Sequence, residues 1–131
     1  MGQRMQLLVE TEYMRVEHDA DRSILLITRN AQPFPSIEAA TQENASVARQ
    51  SRHVPARFLI LDSRLAPGRN DDSFESAMRP VFTSYVARYE RVAMIVQTAI
   101  GRLQMQRLSR TSPIPVGVCA TLEEAIAFVL R

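Results

Sequence analysis

Few side chains in this chain are able to do chemistry. Histidine occurs twice (His18 and His53), cysteine once (Cys119), and all sixteen basic residues are arginine. The absence of lysine excludes Schiff-base catalysis, the Walker phosphate loop and the kinase strand lysine. Neither histidine stands at metal-ligand spacing from Cys119, so no metal site is expected. Nine residues of extended chain place His53 up to roughly 30 Å from Asp62, which makes a Ser-His-Asp arrangement on that pair implausible. The four glycines, at positions 2, 68, 101 and 117, build neither a phosphate cradle nor a Gly-x-Ser-x-Gly elbow. No catalytic residue and no cofactor are expected. An enzyme using Asp62 as general base is the weakest of the functional options, because that carboxylate would need its pKa raised by burial.

Polar residues gather in two segments instead. One runs through Asp62, Ser63, Arg64, Arg69, Asn70, Asp71, Asp72 and Ser73; the other holds Gln97, Thr98 and Arg102. Arginines beside helix starts can hold a carboxylate or phosphate bidentately. The plainer alternative is that Asp62 and Arg64 pair locally and fix a loop.

The elements that position these segments follow from hydrophobic pattern and capping signals. Met14 to His18 and Ser23 to Arg29 read as two strands around the polar turn Asp19-Ala20-Asp21-Arg22. Residues Met5 to Glu12 either extend the first strand or form an N-terminal arm. Ser36 caps a helix to about Arg49. Phe58-Leu59-Ile60-Leu61 and Val92 to Val96 are continuous apolar runs, as expected of strands covered on both faces. Between them, Phe74, Ala77, Met78, Val81, Phe82, Tyr85, Val86 and Tyr89 form one helical stripe, opened by Asp72 and Glu75 at capping-box spacing. Pro80 lies off the stripe, which predicts a kink on the exposed side. A helix from about Thr98 to Leu108, a short strand from Pro115 to Ala120 and a last helix capped by Thr121 with Glu124 complete the order ββαβαβαβα. Strand and helix alternate after the first hairpin, which calls for an α/β domain with a mostly parallel sheet. Its carboxyl edge carries both polar segments, and ligands of open α/β sheets meet that edge.

The whole order resembles the STAS domain family of sulfate-transporter cytoplasmic domains and SpoIIAA-like anti-sigma-factor antagonists. Phe58-Leu-Ile-Leu-Asp62-Ser-Arg64 resembles the family's apolar strand ending in Asp. Arg91-Val-Ala-Met-Ile-Val96 is similar to its next strand, and Thr121-Leu-Glu-Glu-Ala125 to its final helix start. The resemblance covers about residues 13–131, with residues 1–12 as the arm or strand extension. In the antagonist branch it implies a phosphoacceptor serine within Asp-Ser-Ser/Thr-Gly, which falls here on Ser73. Asp72 and Ser73 match that pattern; Phe74 and Glu75 do not. Asp71, Asp72 and Glu75 already place negative charge where a phosphate would sit.

Net charge is only +2, no run of five or six like charges occurs, and three tyrosines and five phenylalanines supply few stacking surfaces. Nucleic acid is therefore not an expected partner. The lone cysteine, the lack of a signal-like apolar region, and Gln6 in place of a myristoylation hydroxyl fit a cytoplasmic protein without a membrane span. The expected function is a non-enzymatic bacterial regulatory or interaction module. It would bind a protein partner, or itself as a homodimer, through the loop from Asp62 to Ser73 with the helix that follows, Thr98 and Arg102 belonging to the same rim. Residues 1–12, with Met5, Leu7, Leu8 and Val9, are further candidates for contact with a second chain. The competing expectation is a small apolar or anionic ligand held between sheet and helices.

Overall fold

The computed structural model describes residues 5–68 and 71–131. The element order is β1 (Met5–Glu10), β2 (Met14–Asp19), β3 (Ile24–Arg29), α1 (Ile37–Ser51), β4 (Phe58–Asp62), α2 (Asp72–Val86), β5 (Arg91–Ile95), α3 (Ala99–Ser109), β6 (Val116–Cys119) and α4 (Leu122–Leu130). The segment left open between arm and extension is a strand of its own, so the order begins βββ. It pairs antiparallel with β2 at the sheet edge, with a register shift between Leu7 and Val9. A bulge of this kind twists an edge strand away from indiscriminate pairing.

The six strands lie in sequence order, β1-β2-β3-β4-β5-β6. The first three are antiparallel to one another and β3 through β6 are parallel. Each crossover therefore steps one place in the same direction. Alternation along the central strands divides the core in two. Leu25, Ile27, Leu59, Val92 and Met94 meet Val47 of α1, Phe82, Tyr85 and Val86 of α2 and Leu108 of α3. Ile24, Leu26, Phe58, Ile60, Ala93 and Ile95 meet Ala125 and Val129 of α4 on the other face. The continuous apolar runs thus belong to strands covered on both sides, and each fully buried Ile or Leu contributes about 1.5–3 kcal/mol.

Local chemistry sets the element ends. Ser36, Thr98 and Thr121 cap α1, α3 and α4 by accepting from the N–H of Ala39, Gly101 and Glu124. In α4, Glu124 reaches back to the N–H of Thr121, completing the capping box. In α2 the cap lies one residue earlier than the spacing suggests. Asp71, not Asp72, accepts from Phe74 N–H, and Glu75 is turned away from the cap. The helix runs through Pro80, whose neighbourhood is exposed, so water can take the carbonyl left without its helical donor. It ends at Val86, and Tyr89 is buried beyond it. Ser23 closes the β2–β3 hairpin at φ 61°, in the left-handed region. Its carbonyl and hydroxyl oxygens accept from Arg57, tying the turn to the start of β4.

Gly117 of β6 marks a close approach. A Cβ there would lie 2.8 Å from the ring of Phe128, which packs flat on the strand from α4. No side chain fits at that point unless the helix moves.

Candidate functional site

A cavity of ≈ 260 Å³ opens at the carboxyl ends of β3, β4 and β5, on the face carrying α1 to α3. Ile27, Leu61 and Met94 form its floor; Met78 and Val81 of α2 and Met105 of α3 form its roof. The α2 stripe divides along its length. Val86 lies in the core alone, Phe82 and Tyr85 are buried and also reach the cavity, and Phe74, Met78 and Val81 are half-buried and border it. On α3, Gly101 presents no side chain to this space; its Cβ would stand 2.9 Å from the capping hydroxyl of Thr98. Four of the six methionines, Met14, Met78, Met94 and Met105, line the cavity. Unbranched thioether side chains repack at low cost, so this wall can adapt to the shape of an occupant.

Polar groups are concentrated at the rim. Asp62 ends β4 nearly buried, and both its carboxylate oxygens accept from Arg64, at 3.0 Å from Nε and 2.7 Å from Nη2. The backbone N–H of Arg64 also donates to Asp62, so the pair closes the start of the 62–71 loop. Ser63 and Arg64 line the cavity beside Gln97 and Thr98. Arg107 of α3 donates to Glu75 of α2 from Nε at 3.1 Å and Nη2 at 2.8 Å, and Arg79 adds a bond at 3.3 Å. Hydrogen bonding from Arg107 holds the Glu75 carboxyl below the usual carboxylate range. The carboxylate is shielded by its own partners rather than sunk in the core, and it clamps α2 to α3 along one side of the cavity.

At the β3 end stands Arg29. Its Nη2 donates to the carbonyl of Gln32, and its guanidinium carbon lies 4.4 Å from the centroid of the Phe34 ring. Phe34 in turn stacks on Tyr13 at 4.6 Å. Arg29, Phe34 and Asn44 all border the cavity.

No protein-family model and no curated protein matches the chain. Among solved structures, it is similar to an uncharacterised DUF3478-family protein with a SpoIIAA-like fold from Shewanella loihica PV-4. The two share 10% identity at a TM-score of 0.58, over 95% of this chain and 91% of that one. The fold is SpoIIAA-like.

Within this SpoIIAA-like sheet the rim residues expected from sequence separate into groups. Ser63, Arg64 and Thr98 reach the cavity. Asp62 stands behind Arg64, and Asp71 is spent on the α2 cap. Asp72 and Ser73 are exposed in the first turn of α2. Arg102 turns toward β6, where its Nη1 approaches the carbonyl of Val118 at 3.5 Å. Arg69 and Asn70 lie outside the described residues, as do the first four residues of the 1–12 segment. The sheet adds its parallel strands in one direction only, so the site is a space beneath one helical layer rather than a crevice at a reversal of strand order. Sequence reasoning missed Arg29, Phe34, Glu75 as an ion-pair partner, Arg107 and the methionines. The one sequence signal available was the excess of methionine on otherwise regular core stripes. Among the described residues no cluster of histidine, cysteine and carboxylates is arranged to hold a metal ion, and no helix is long and apolar enough to cross a membrane.

Proposed function

We propose that this chain is a non-enzymatic STAS-like module that binds a small, mainly apolar molecule in the cavity between the sheet and α2–α3. The observation that carries the reading is the cavity itself, with its methionine-rich wall. Apolar space of this size left dry and empty would cost stability, and a ligand that fills it recovers the lost contacts. The reading assigns no catalytic group: Asp62, the carboxylate considered as a base, is committed on both oxygens to Arg64. Cytoplasmic residence is part of the proposal, supported by the lone and partly buried Cys119.

A second reading, contact with a protein partner, has its own support. Leu65, in the loop over the cavity, and Ile100 and Leu103, on α3, are each more than half exposed. Exposed apolar side chains of this kind give a partner something to read. The two readings combine in a regulatory module whose partner surface lies beside its ligand.

Native mass spectrometry of freshly purified protein, followed by thermal denaturation with 1-octanol, tests the ligand reading. A co-purified small mass, or a midpoint that rises with octanol, is expected. Ligand at a hundred times its dissociation constant adds about 2.7 kcal/mol. A bare chain whose midpoint ignores octanol overturns the ligand reading.

A further inference from the structure

Two arginines stand on the cavity wall, and they differ in one respect. Arg64 gives its donors to Asp62. Arg29 has no carboxylate within ion-pair distance among the described residues, and its Nε and Nη1 are shut off from solvent without a hydrogen-bond partner. Only Nη2 is engaged, by the Gln32 carbonyl. Burial works against this cation, lowering its pKa, while Glu43 and Tyr13 offset part of the effect from a distance. Glu43 itself accepts a hydrogen bond from the Thr11 hydroxyl at 2.6 Å. A guanidinium with two N–H groups buried and unpaired carries a desolvation cost that an anion accepting from them would offset. The ring of Phe34, carried by the Pro33-Phe34-Pro35 linker and not by the sheet, lies against the guanidinium. Arg29 ends strand β3, whereas the linker belongs to no helix or strand.

Resting on the apolar-ligand reading above, we propose that the occupant is a single-chain amphipathic carboxylate. Its alkyl chain lies along the methionine wall, and its head displaces the Phe34 ring to accept from the unpaired N–H groups of Arg29. A planar carboxylate suits a guanidinium geometrically. The negative charge of Glu43 nearby favours a monoanion over a dianionic phosphate monoester. A cavity of ≈ 260 Å³ has room for a chain of about eight carbons, so octanoate serves as the probe.

The test is calorimetric titration of the full chain with octanoate, 1-octanol and octyl phosphate, each into wild type, Arg29→Gln and Phe34→Ala. Wild type should bind octanoate at least tenfold more tightly than 1-octanol, and more tightly than octyl phosphate. Arg29→Gln should lose that tenfold preference. Phe34→Ala, which uncovers the arginine, should strengthen octanoate relative to 1-octanol. Equal binding of octanoate and 1-octanol by wild type, or a preference that survives Arg29→Gln, overturns the carboxylate proposal and leaves the cavity reading standing. Tighter binding of octyl phosphate overturns the monoanion assignment. If no probe binds wild type or Phe34→Ala, the cavity reading falls and the proposal with it. Should Arg29→Gln not fold, Phe34→Ala decides alone: an octanoate preference that is unchanged or smaller overturns the proposal.

Discussion

Replacing Val81 with phenylalanine should stabilise the protein, while the same replacement at Val86, five residues further along α2, should do the opposite. Val81 is half-buried against the cavity; Val86 is fully buried in the core. The larger ring at position 81 brings roughly 60 Å² of additional apolar surface out of water, about 1.5 kcal/mol at about 25 cal/mol per Å². Fixing the side chain gives back about 0.5 kcal/mol, leaving a net gain near 1 kcal/mol. For a domain of this length that gain raises the midpoint by about 4 °C. The upper limit on what filling could recover, at about 24 cal/mol per Å³ for an enclosed space, is about 6 kcal/mol, and the open mouth keeps the true figure well below it. At Val86 there is no space, so overpacking should cost about 1–3 kcal/mol. Urea denaturation of the three proteins reads both signs, and octanol titration of Val81→Phe should show binding weakened at least tenfold. If Val81→Phe loses as much stability as Val86→Phe, the space is not there to be filled and the reasoning from the cavity fails.

Two other perturbations probe the frame around the site. Gly117→Val drives a side chain into the Phe128 ring and should cost about 1–3 kcal/mol in urea denaturation, with a smaller cost in a Phe128→Ala background because the two changes share one contact. The Glu75 carboxyl is held below its usual range in the folded state by Arg107, so the unfolded chain binds its proton more readily. Its contribution is therefore complete above about pH 4.5, the ordinary carboxylate range, and is lost as pH falls through the lowered folded value. Glu75→Gln should cost about 1–2 kcal/mol at neutral pH, the usual worth of charge-assisted bonds discounted for the half-exposed arginines, and should flatten the acid side of the stability profile. A variant whose acid profile matches wild type would remove the clamp from the account.

The secondary structure was legible wherever its cause is local. Phe58 to Leu61 and Val92 to Val96 read as doubly covered strands because a β-strand alternates faces and both faces here are apolar. Ser36 and Thr121 announced helix starts because a cap is a bond between residues three apart. The cap of α2 slipped by one position for the same reason: Asp71 and Asp72 are equally competent locally, and Glu75 was drawn off by Arg107, 32 residues away. Of the residues expected at the carboxyl edge, Ser63, Arg64 and Thr98 stand beside the cavity, but no local pattern could say that Arg102 would turn to β6.

Apolar runs and caps depend on neighbours in the chain, and so β2 to β6, the helices and the parallel part of the sheet follow from the order of residues, while β1 became a strand of its own only by pairing with β2. A void depends on how side chains from β3, β4, β5, α2 and α3 fail to meet, and nothing within one segment records that sum. Met78 and Val81 read as core on the helical stripe; only the assembled layers show a gap under them. Arg29 read as the polar end of a strand. Only in the folded chain does it lie against Phe34, half-buried, with two N–H groups shut off from solvent and no carboxylate paired to it among the described residues. Unpaired charge and unfilled volume are properties of what is absent nearby in space, which is why they appear only once the chain has folded.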